Sequence, residues 1–237
     1  MSKEKLSKIN KILIKEYGVP RQENPNPDPV DILIATILSQ NTNDRNSYRS
    51  FLNLKKKFAD WKDAAEADLR SLEAPISSAG FSGPKARAIK NILNFLLETY
   101  GGISLDYLKE MSDDEAVESL TSHKGIGIKT AQCVMMFAFH RNICPVDRHI
   151  FRILNRIGIV KASTPEKTSL MLNKILPEGT AHSLHVNLIR FGREICRQTL
   201  PNCSICPLFE LCAYDNKNMN EVIEYKGGTF LLLDHVG

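Results

Sequence analysis

Apolar positions return every three or four residues along most of this chain, the period of a helix with one buried face. Ala86 to Tyr100 is the clearest case. Ile89, Ile92, Leu93, Leu96 and Leu97 line one side, and Gly101-Gly102 ends the segment. Ser112-Asp-Asp-Glu115 reads as a capping box ahead of Ala116, Val117 and Leu120. Asp28-Pro29 pairs an N-cap residue with a proline at the first helical position, and opens Val30 to Ser39, a run apolar nearly all round that predicts a buried helix. Its isoleucines also suit a β-strand, which is the competing reading. Further helices are predicted over Ile128–His140, Arg148–Ile157, Pro165–Leu176 behind a Thr164 cap, and Ala181–Ile195. Tyr225-Lys-Gly-Gly-Thr-Phe-Leu-Leu-Leu233 suits a small hairpin or a loosely docked tail. The pattern predicts an all-α protein without internal repeats.

The chain has 237 residues, 43% hydrophobic and 24% charged, so it has the length and composition to bury a core in one or two domains. The longest apolar run, Ile32 to Leu38, already contains Thr36, which excludes a membrane-spanning helix there and leaves no membrane partner expected. A net charge of +4 is too small to name a partner. Its distribution says more: Lys124, Lys129, Arg141, Arg148, Arg152 and Arg156 meet a single acid, Asp147, between positions 124 and 156. That segment is a local basic face. The Met1-Ser-Lys-Glu-Lys-Leu start puts charges where a signal peptide needs an apolar stretch, so a cytoplasmic protein is expected, with its six cysteines reduced.

Four of those cysteines fall together as Cys196-x6-Cys203-x2-Cys206-x5-Cys212. Gaps this short bring four thiolates to one point without help from a distant part of the fold. The intervening Gln198, Pro201, Asn202, Ser204 and Pro207 are loop residues that offer little core, so four thiols packed merely as small hydrophobes is the weaker reading. Zinc is the rival metal, but its sites are more often built from two widely separated Cys pairs; one pair flanked by single cysteines favours a [4Fe-4S] cluster. Cys133, in an apolar helix, and Cys144, before Pro145, read as buried structural thiols.

His123-Lys-Gly-Ile-Gly-Ile-Lys-Thr-Ala131 joins two predicted helices through Gly125-Ile126-Gly127. Glycines on either side of one apolar residue permit a tight turn whose backbone N–H groups point outward at the start of the next helix, where they can hold a phosphate oxygen in any sequence context. Lys129 follows in the first turn of that helix. The helix N-terminus and neighbouring cations there favour a neutral amine, which is a nucleophile able to form a Schiff base; at an ordinary pKa only about one lysine in 2,500 is neutral at pH 7. Downstream, Pro145-Val-Asp147-Arg-His-Ile-Phe-Arg152 places one acid directly before a helix among arginines. Taken singly, Asp147 is an N-cap and Lys129 a solvated side chain.

Taken together, Gly125-Ile-Gly-Ile-Lys129-Thr-Ala, Val146-Asp147-x-His149-Ile-Phe-Arg152 and Gly192-Arg193-x-x-Cys196 with its three following cysteines resemble, in order, the helix-hairpin-helix DNA glycosylases of the endonuclease III type. Weaker similarity in Asp31-Ile-Leu-Ile-Ala-Thr-Ile-Leu-Ser-Gln40 and Ala79-Gly-Phe-Ser-Gly-Pro-Lys-Ala86 carries the resemblance through nearly the whole chain. It implies two α-helical domains. A six-helix barrel domain containing the hairpin would span 29–140, a discontinuous iron-sulfur domain 1–28 and 141–215, and a tail 216–237, with the active-site cleft between the domains.

The same resemblance implies a base-excision-repair glycosylase with AP lyase activity, monomeric and nucleoid-associated, acting on double-stranded DNA with damaged bases or abasic sites. Lys129 falls on the catalytic lysine and Asp147 on the catalytic aspartate, while Cys196, Cys203, Cys206 and Cys212 fall on the cluster ligands. Such an enzyme must extrude its target nucleotide and fill the gap. By similarity the loops holding Gln40, Asn41 and Phe81 supply the wedge, and Lys124, Gly125, Gly127, Arg148 and His149 join them as DNA-contact residues. Three departures bear on base preference: His123-Lys124 stands where the family commonly has Leu-Pro, Arg148 replaces a threonine, and the usual wedge glutamine aligns with Asn41, one residue from Gln40. Mismatch-specific monofunctional relatives are the nearest alternative, but usually lack a lysine at position 129. A DNA-binding iron-sulfur redox sensor would leave the Lys/Asp pair unexplained, and a purely structural helix-hairpin-helix module would leave the metal domain unexplained.

Overall fold

The computed structural model of the chain describes residues 2–225, 227 and 230–236. Its α-helices are, in order, α1 (Ser2–Tyr17), α2 (Pro29–Leu38), α3 (Asp44–Lys57), α4 (Trp61–Glu66), α5 (Leu69–Glu73), α6 (Ser82–Tyr100), α7 (Asp113–Thr121), α8 (Ile128–Phe137), α9 (Arg148–Ile157), α10 (Pro165–Ile175) and α11 (Ala181–Glu194). Short turns and 3-10 segments join them, and no strand occurs among the described residues. The fold is all-α. No helix among the described residues is long and apolar enough to cross a membrane.

The chain divides into two compact units, Arg21–His140 with Phe230–Gly237, and Met1–Pro20 with Arg141–Thr229. At the centre of the first lies α2, buried from Val30 through Leu38. A helix apolar on every side must be enclosed, and α3, α6 and α8 pack around it. The strand alternative fails at its first residues: Asp28 Oδ1 accepts from the amides of Val30 and Asp31 at 2.8 and 3.1 Å, which starts a helix. Buried with this helix, Asp31 takes hydrogen bonds from Trp61 Nε1 at 2.6 Å and Lys55 Nζ at 3.1 Å, so its charge is matched.

α6 begins four residues before its apolar period, at Ser82, because Phe81 adopts a left-handed conformation (φ 50°) and its carbonyl takes the Lys85 amide at 3.3 Å. Ser82-Gly-Pro84 carries no helical signal of its own. The capping box of α7 is formed, with Ser112 N donating to Glu115 Oε2 at 2.9 Å. α8 stops at Phe137 rather than His140, since Ala138 closes the last helical bond and His140 turns left-handed (φ 54°). Of the Tyr225–Leu233 segment, Lys226, Gly228 and Thr229 lie outside the described residues; beyond them Leu232–His235 forms a 3-10 turn, with Leu231, Leu232, Leu233 and Val236 buried.

In the second unit, α9 buries Ile150, Ile153, Leu154 and Ile157 and packs against α10 and α11, while α1 packs on α11. The α9–α11 crossing is close. A Cβ on Gly192 would stand 2.9 Å from the Cβ of His149 and 3.0 Å from Ile153 Cδ1, so only glycine fits without displacement. α10 ends at Ile175, one residue short of the pattern, because the chain approaches Pro177.

Candidate active site

The hairpin joins α7 to α8. Ile126 is 4% exposed and pins the turn to the core, with its amide bonded to the His123 carbonyl at 3.0 Å. Of the two glycines, Gly125 is the one the backbone requires: its φ is +97°, and an added Cβ would lie 2.6 Å from that of Ala88. Gly127 is extended, caps α8, and has no atom within 4 Å of where a Cβ would stand. The first-turn amides of α8 have no carbonyl within their own helix to bond, and an open backbone at this end is suited to an anion. Lys124 is exposed on the turn, and Lys129 is half-buried in the first turn of α8. His123 lies 4.4 Å from the ring of Phe95, and burial holds its imidazole below the usual value.

Two loops of the same unit accompany the hairpin. Gln40, just past α2, donates its side-chain amide to the Gly125 carbonyl at 2.9 Å and to Thr130 Oγ1 at 3.3 Å, binding its loop to the turn. Asn41 is exposed and left-handed (φ 53°), with no side-chain hydrogen bond among the described residues. Phe81 is 70% exposed, so it anchors no core. The residue that sequence reasoning missed here is Lys85. Buried at 4% exposure, its ammonium donates to the carbonyls of Leu38 and Ala79, both at 2.8 Å.

Asp147 lies in the other unit and caps α9. Its Oδ1 accepts from the amides of His149 and Ile150 at 2.8 and 2.9 Å; Oδ2 takes no hydrogen bond among the described residues. The segment leading to it is held from both sides: Asn173 Oδ1 accepts from Cys144 N at 2.8 Å, and His185 Nδ1 donates to the Pro145 carbonyl at 2.9 Å. Neither Asn173 nor His185 announces itself in sequence, beyond being a polar residue in the buried stripe of a helix. Arg148 is exposed, whereas His149 is half-buried and receives Arg152 Nη2 on Nδ1 at 3.2 Å. That bond requires an unprotonated nitrogen. Burial, the largest influence, likewise holds the His149 imidazole below its usual value.

Arg152 also donates to the carbonyls of Gly192 (2.9 Å) and Cys196 (2.8 and 3.0 Å). Beyond it, Cys196, Cys203, Cys206 and Cys212 line one cavity together with Phe191, Ile195 and Leu208. Arg156 brings Nη1 to 3.6 Å from Cys196 Sγ and lies over the Tyr214 ring at 4.5 Å, while buried Asn202 fastens the loop to the carbonyls of Glu194 (3.1 Å) and Ile223 (2.9 Å). Burial pushes Cys206 up to about 12, and the other three cysteines add to the rise. Four thiols so placed ionise together only around a positive centre. Among the described residues, no three ligating groups stand close enough to hold a single metal ion. Cys133 and Cys144 are buried elsewhere.

The match to known proteins agrees with this arrangement. Residues 34–178 match the model of the HhH-GPD superfamily of base excision DNA repair proteins. Endonuclease III of Thermotoga maritima is 33% identical over 209 residues, covering 88% of this chain and 92% of that protein. An Arabidopsis thaliana protein assigned as a DNA glycosylase is 38% identical over 174 residues, which are 73% of this chain and 59% of the relative's own length. A solved non-covalent endonuclease III–DNA complex superposes with a TM-score of 0.76 at 28% identity, over 90% of this chain and 96% of that one. The chain therefore belongs to the HhH-GPD superfamily of base excision DNA repair proteins and, within it, to the endonuclease III family.

Proposed function

We propose that this protein removes oxidised pyrimidines from duplex DNA through a Schiff base on Lys129 and then nicks the strand, working as a monomer at the cytoplasmic nucleoid. The observation that carries the reading is the position of Lys129, in the first turn of α8 directly after the Gly125-Ile126-Gly127 turn, where open backbone amides suit a phosphate oxygen.

The chemistry follows from groups of the chain. The Lys129 amine attacks C1′ of the extruded nucleotide as the N-glycosidic bond breaks; the base leaves with the bonding electrons and takes a proton. Positive charge develops at the sugar in that step, and the Asp147 carboxylate stabilises it through Oδ2 while Oδ1 remains bonded to the start of α9. The C1′–O4′ bond then breaks, the ring oxygen taking a proton from the alkylated amine, and the opened sugar is held as a protonated imine that acidifies the C2′ proton. Its loss expels the 3′ phosphate, and water then hydrolyses the imine and frees the lysine. The hairpin amides around Gly125 and Gly127, with Lys124, Arg148 and His149, hold the DNA backbone, while Asn41, on the loop that Gln40 ties to the hairpin, and Phe81 occupy the space left by the extruded base.

The four cysteines suit a [4Fe-4S] cluster. Lining one cavity, Cys196, Cys203, Cys206 and Cys212 would each supply a thiolate to such a cluster. Bound there, the cluster would supply a rigid, positively charged centre that holds the loop from Cys196 to Cys212. A panel of lesion duplexes assayed separately for base release and strand cleavage tests the reading. Release of oxidised pyrimidines with concomitant nicking is expected; release without nicking contradicts the lysine mechanism.

A further inference from the structure

The glycosylase reading assigns the wedge to exposed side chains, and buried hydrogen bonds hold their two loops in register. Leu38 ends α2, immediately before the Gln40-Asn41 loop, and Ala79 ends the 3-10 turn immediately before Gly80-Phe81. Both loops leave through left-handed residues, Asn41 at φ 53°, Gly80 at φ 66° and Phe81 at φ 50°, so the carbonyls they leave behind cannot be bonded by continuing helix. Lys85 Nζ reaches both at 2.8 Å. Ser47 Oγ also donates to Leu38 O, at 3.3 Å, and a Ser50–Ser78 hydroxyl pair at 2.8 Å fastens the 3-10 turn to α3.

A buried ammonium is an expensive way to fill a core, and a methionine would occupy the same volume without desolvating a charge. What an apolar side chain cannot do is bond two carbonyls at once. The ends of helical segments carry partial negative charge, and an ammonium between two of them fixes their separation as a neutral packing contact would not. Through Gln40, the first loop is also bonded to the Gly125 carbonyl. The hairpin, the Asn41 loop and the Phe81 loop thus form one hydrogen-bonded frame, with Lys85 as the tie between its two wedge loops. Burial pulls the Lys85 amine down to about 8, which places this tie within reach of neutrality at the upper end of physiological pH.

Resting on the glycosylase reading, we infer that Lys85 is a positioning residue for base extrusion, holding Asn41 and Phe81 at the spacing needed to enter the duplex from the two sides of an extruded nucleotide. An extruding enzyme has to meet the DNA with its wedge already formed, since a loop that must be ordered on binding takes that free energy from unstacking.

The test places 2-aminopurine opposite an oxidised pyrimidine or a stable abasic analogue and follows its fluorescence at saturating holoenzyme, beside single-turnover base release. Lys85→Met is expected to lower the fluorescence amplitude and to slow base release by between about tenfold and a hundredfold, with affinity for undamaged duplex unchanged. Lys85→Arg, which keeps a charged donor to both carbonyls, should recover part of both. Lys90→Met removes a similar ammonium, further along α6, from the carbonyls of Ala65 and Ala67, away from both wedge loops, and serves as the stability control, with wild-type amplitude. A folded Lys85→Met protein equal to wild type in amplitude and rate overturns the inference. Should Lys85→Met fail to fold, Lys85→Gln, whose amide reaches one carbonyl, decides it: a reduced amplitude supports the tie and a wild-type amplitude overturns it. A wild-type enzyme that neither releases base nor nicks would contradict the glycosylase reading itself.

Discussion

Arg152 donates from Nε and Nη2 to the backbone carbonyl of Cys196, at 3.0 and 2.8 Å, so the helix that Asp147 caps is fastened to the first residue of the four-cysteine loop. The same guanidinium bonds the Gly192 carbonyl on α11 at 2.9 Å. The cysteine loop and the α9–α11 crossing therefore share one donor. Arg152→Ala leaves two half-buried carbonyls without it and is expected to cost about 1–3 kcal/mol of stability, measured by denaturant midpoint, and to speed bleaching of the visible absorbance by chelator. Unchanged stability and bleaching would show that the fastening is incidental.

Cys203→Ala removes one of four thiolates from a loop with little apolar core, so loss of cluster colour should come with loss of folded protein and of DNA affinity. Stoichiometric zinc and no iron after anaerobic purification would contradict the cluster assignment.

Gly125→Ala meets two obstacles, a left-handed backbone and an Ala88 Cβ at 2.6 Å. It should lower stability by about 1–3 kcal/mol and weaken binding to every duplex, since the turn that presents the amides must shift. Gly127→Ala, which meets no atom within 4 Å, should leave stability within about 0.5 kcal/mol of wild type. Calorimetry on the pair separates the two glycines.

Much of this was legible in the sequence where local chemistry and period agree. Asp28-Pro29 marked the start of α2, Ser112 and Glu115 that of α7, and Gly101 the end of α6. The residues around the site were less legible. α3 buries Ser47, Ser50, Phe51 and Leu54, so half of its inner face is polar and it shows no apolar stripe. Lys85 reads as a solvated lysine at a helix start, and nothing local reveals that the Leu38 carbonyl, 47 residues away, joins that of nearby Ala79 around its ammonium. Left-handed Asn41 carries no glycine signal, and beside Phe81 the glycine signal of Gly80 marks only the first of two left-handed residues. The sequence displays the groups that could bear chemistry; what holds them depends in part on bonds between residues far apart in the chain, as from Lys85 to Leu38 and from Gln40 to Gly125.

Exposed Lys124 and Arg148 lie on the basic segment from 124 to 156. If each meets a phosphate, Lys124→Ala and Arg148→Ala should each weaken binding to all duplexes and reduce the slope of log K against log salt by about one. A change in base preference alone, at constant slope, would reassign the residue concerned.

The imidazoles of His123 and His149 are both held below their usual value by burial. With folded values lower than unfolded ones, the unfolded chain binds more protons between them. The associated stability is then fully present above about pH 6.5 and is lost as pH falls through the folded values. Urea denaturation at about pH 7.5 and pH 5.5 should show this loss, and His149→Gln should make it smaller; an identical pH dependence in the variant would remove His149 from the account.

The central claim is that the Lys129 amine bonds C1′, and borohydride trapping tests it most directly, because only an amine at that carbon gives a reducible C=N bond. Borohydride added during turnover on an oxidised-pyrimidine duplex should leave the protein covalently joined to DNA, with peptide mapping placing the adduct on Lys129. Lys129→Gln should abolish trapping and turnover while lesion binding stays close to wild type. Asp147→Asn, which keeps a capping oxygen for His149 and Ile150, should stay folded and slow turnover by about a hundredfold or more. Base release without any trapped species, or trapping that persists in Lys129→Gln, would contradict the account.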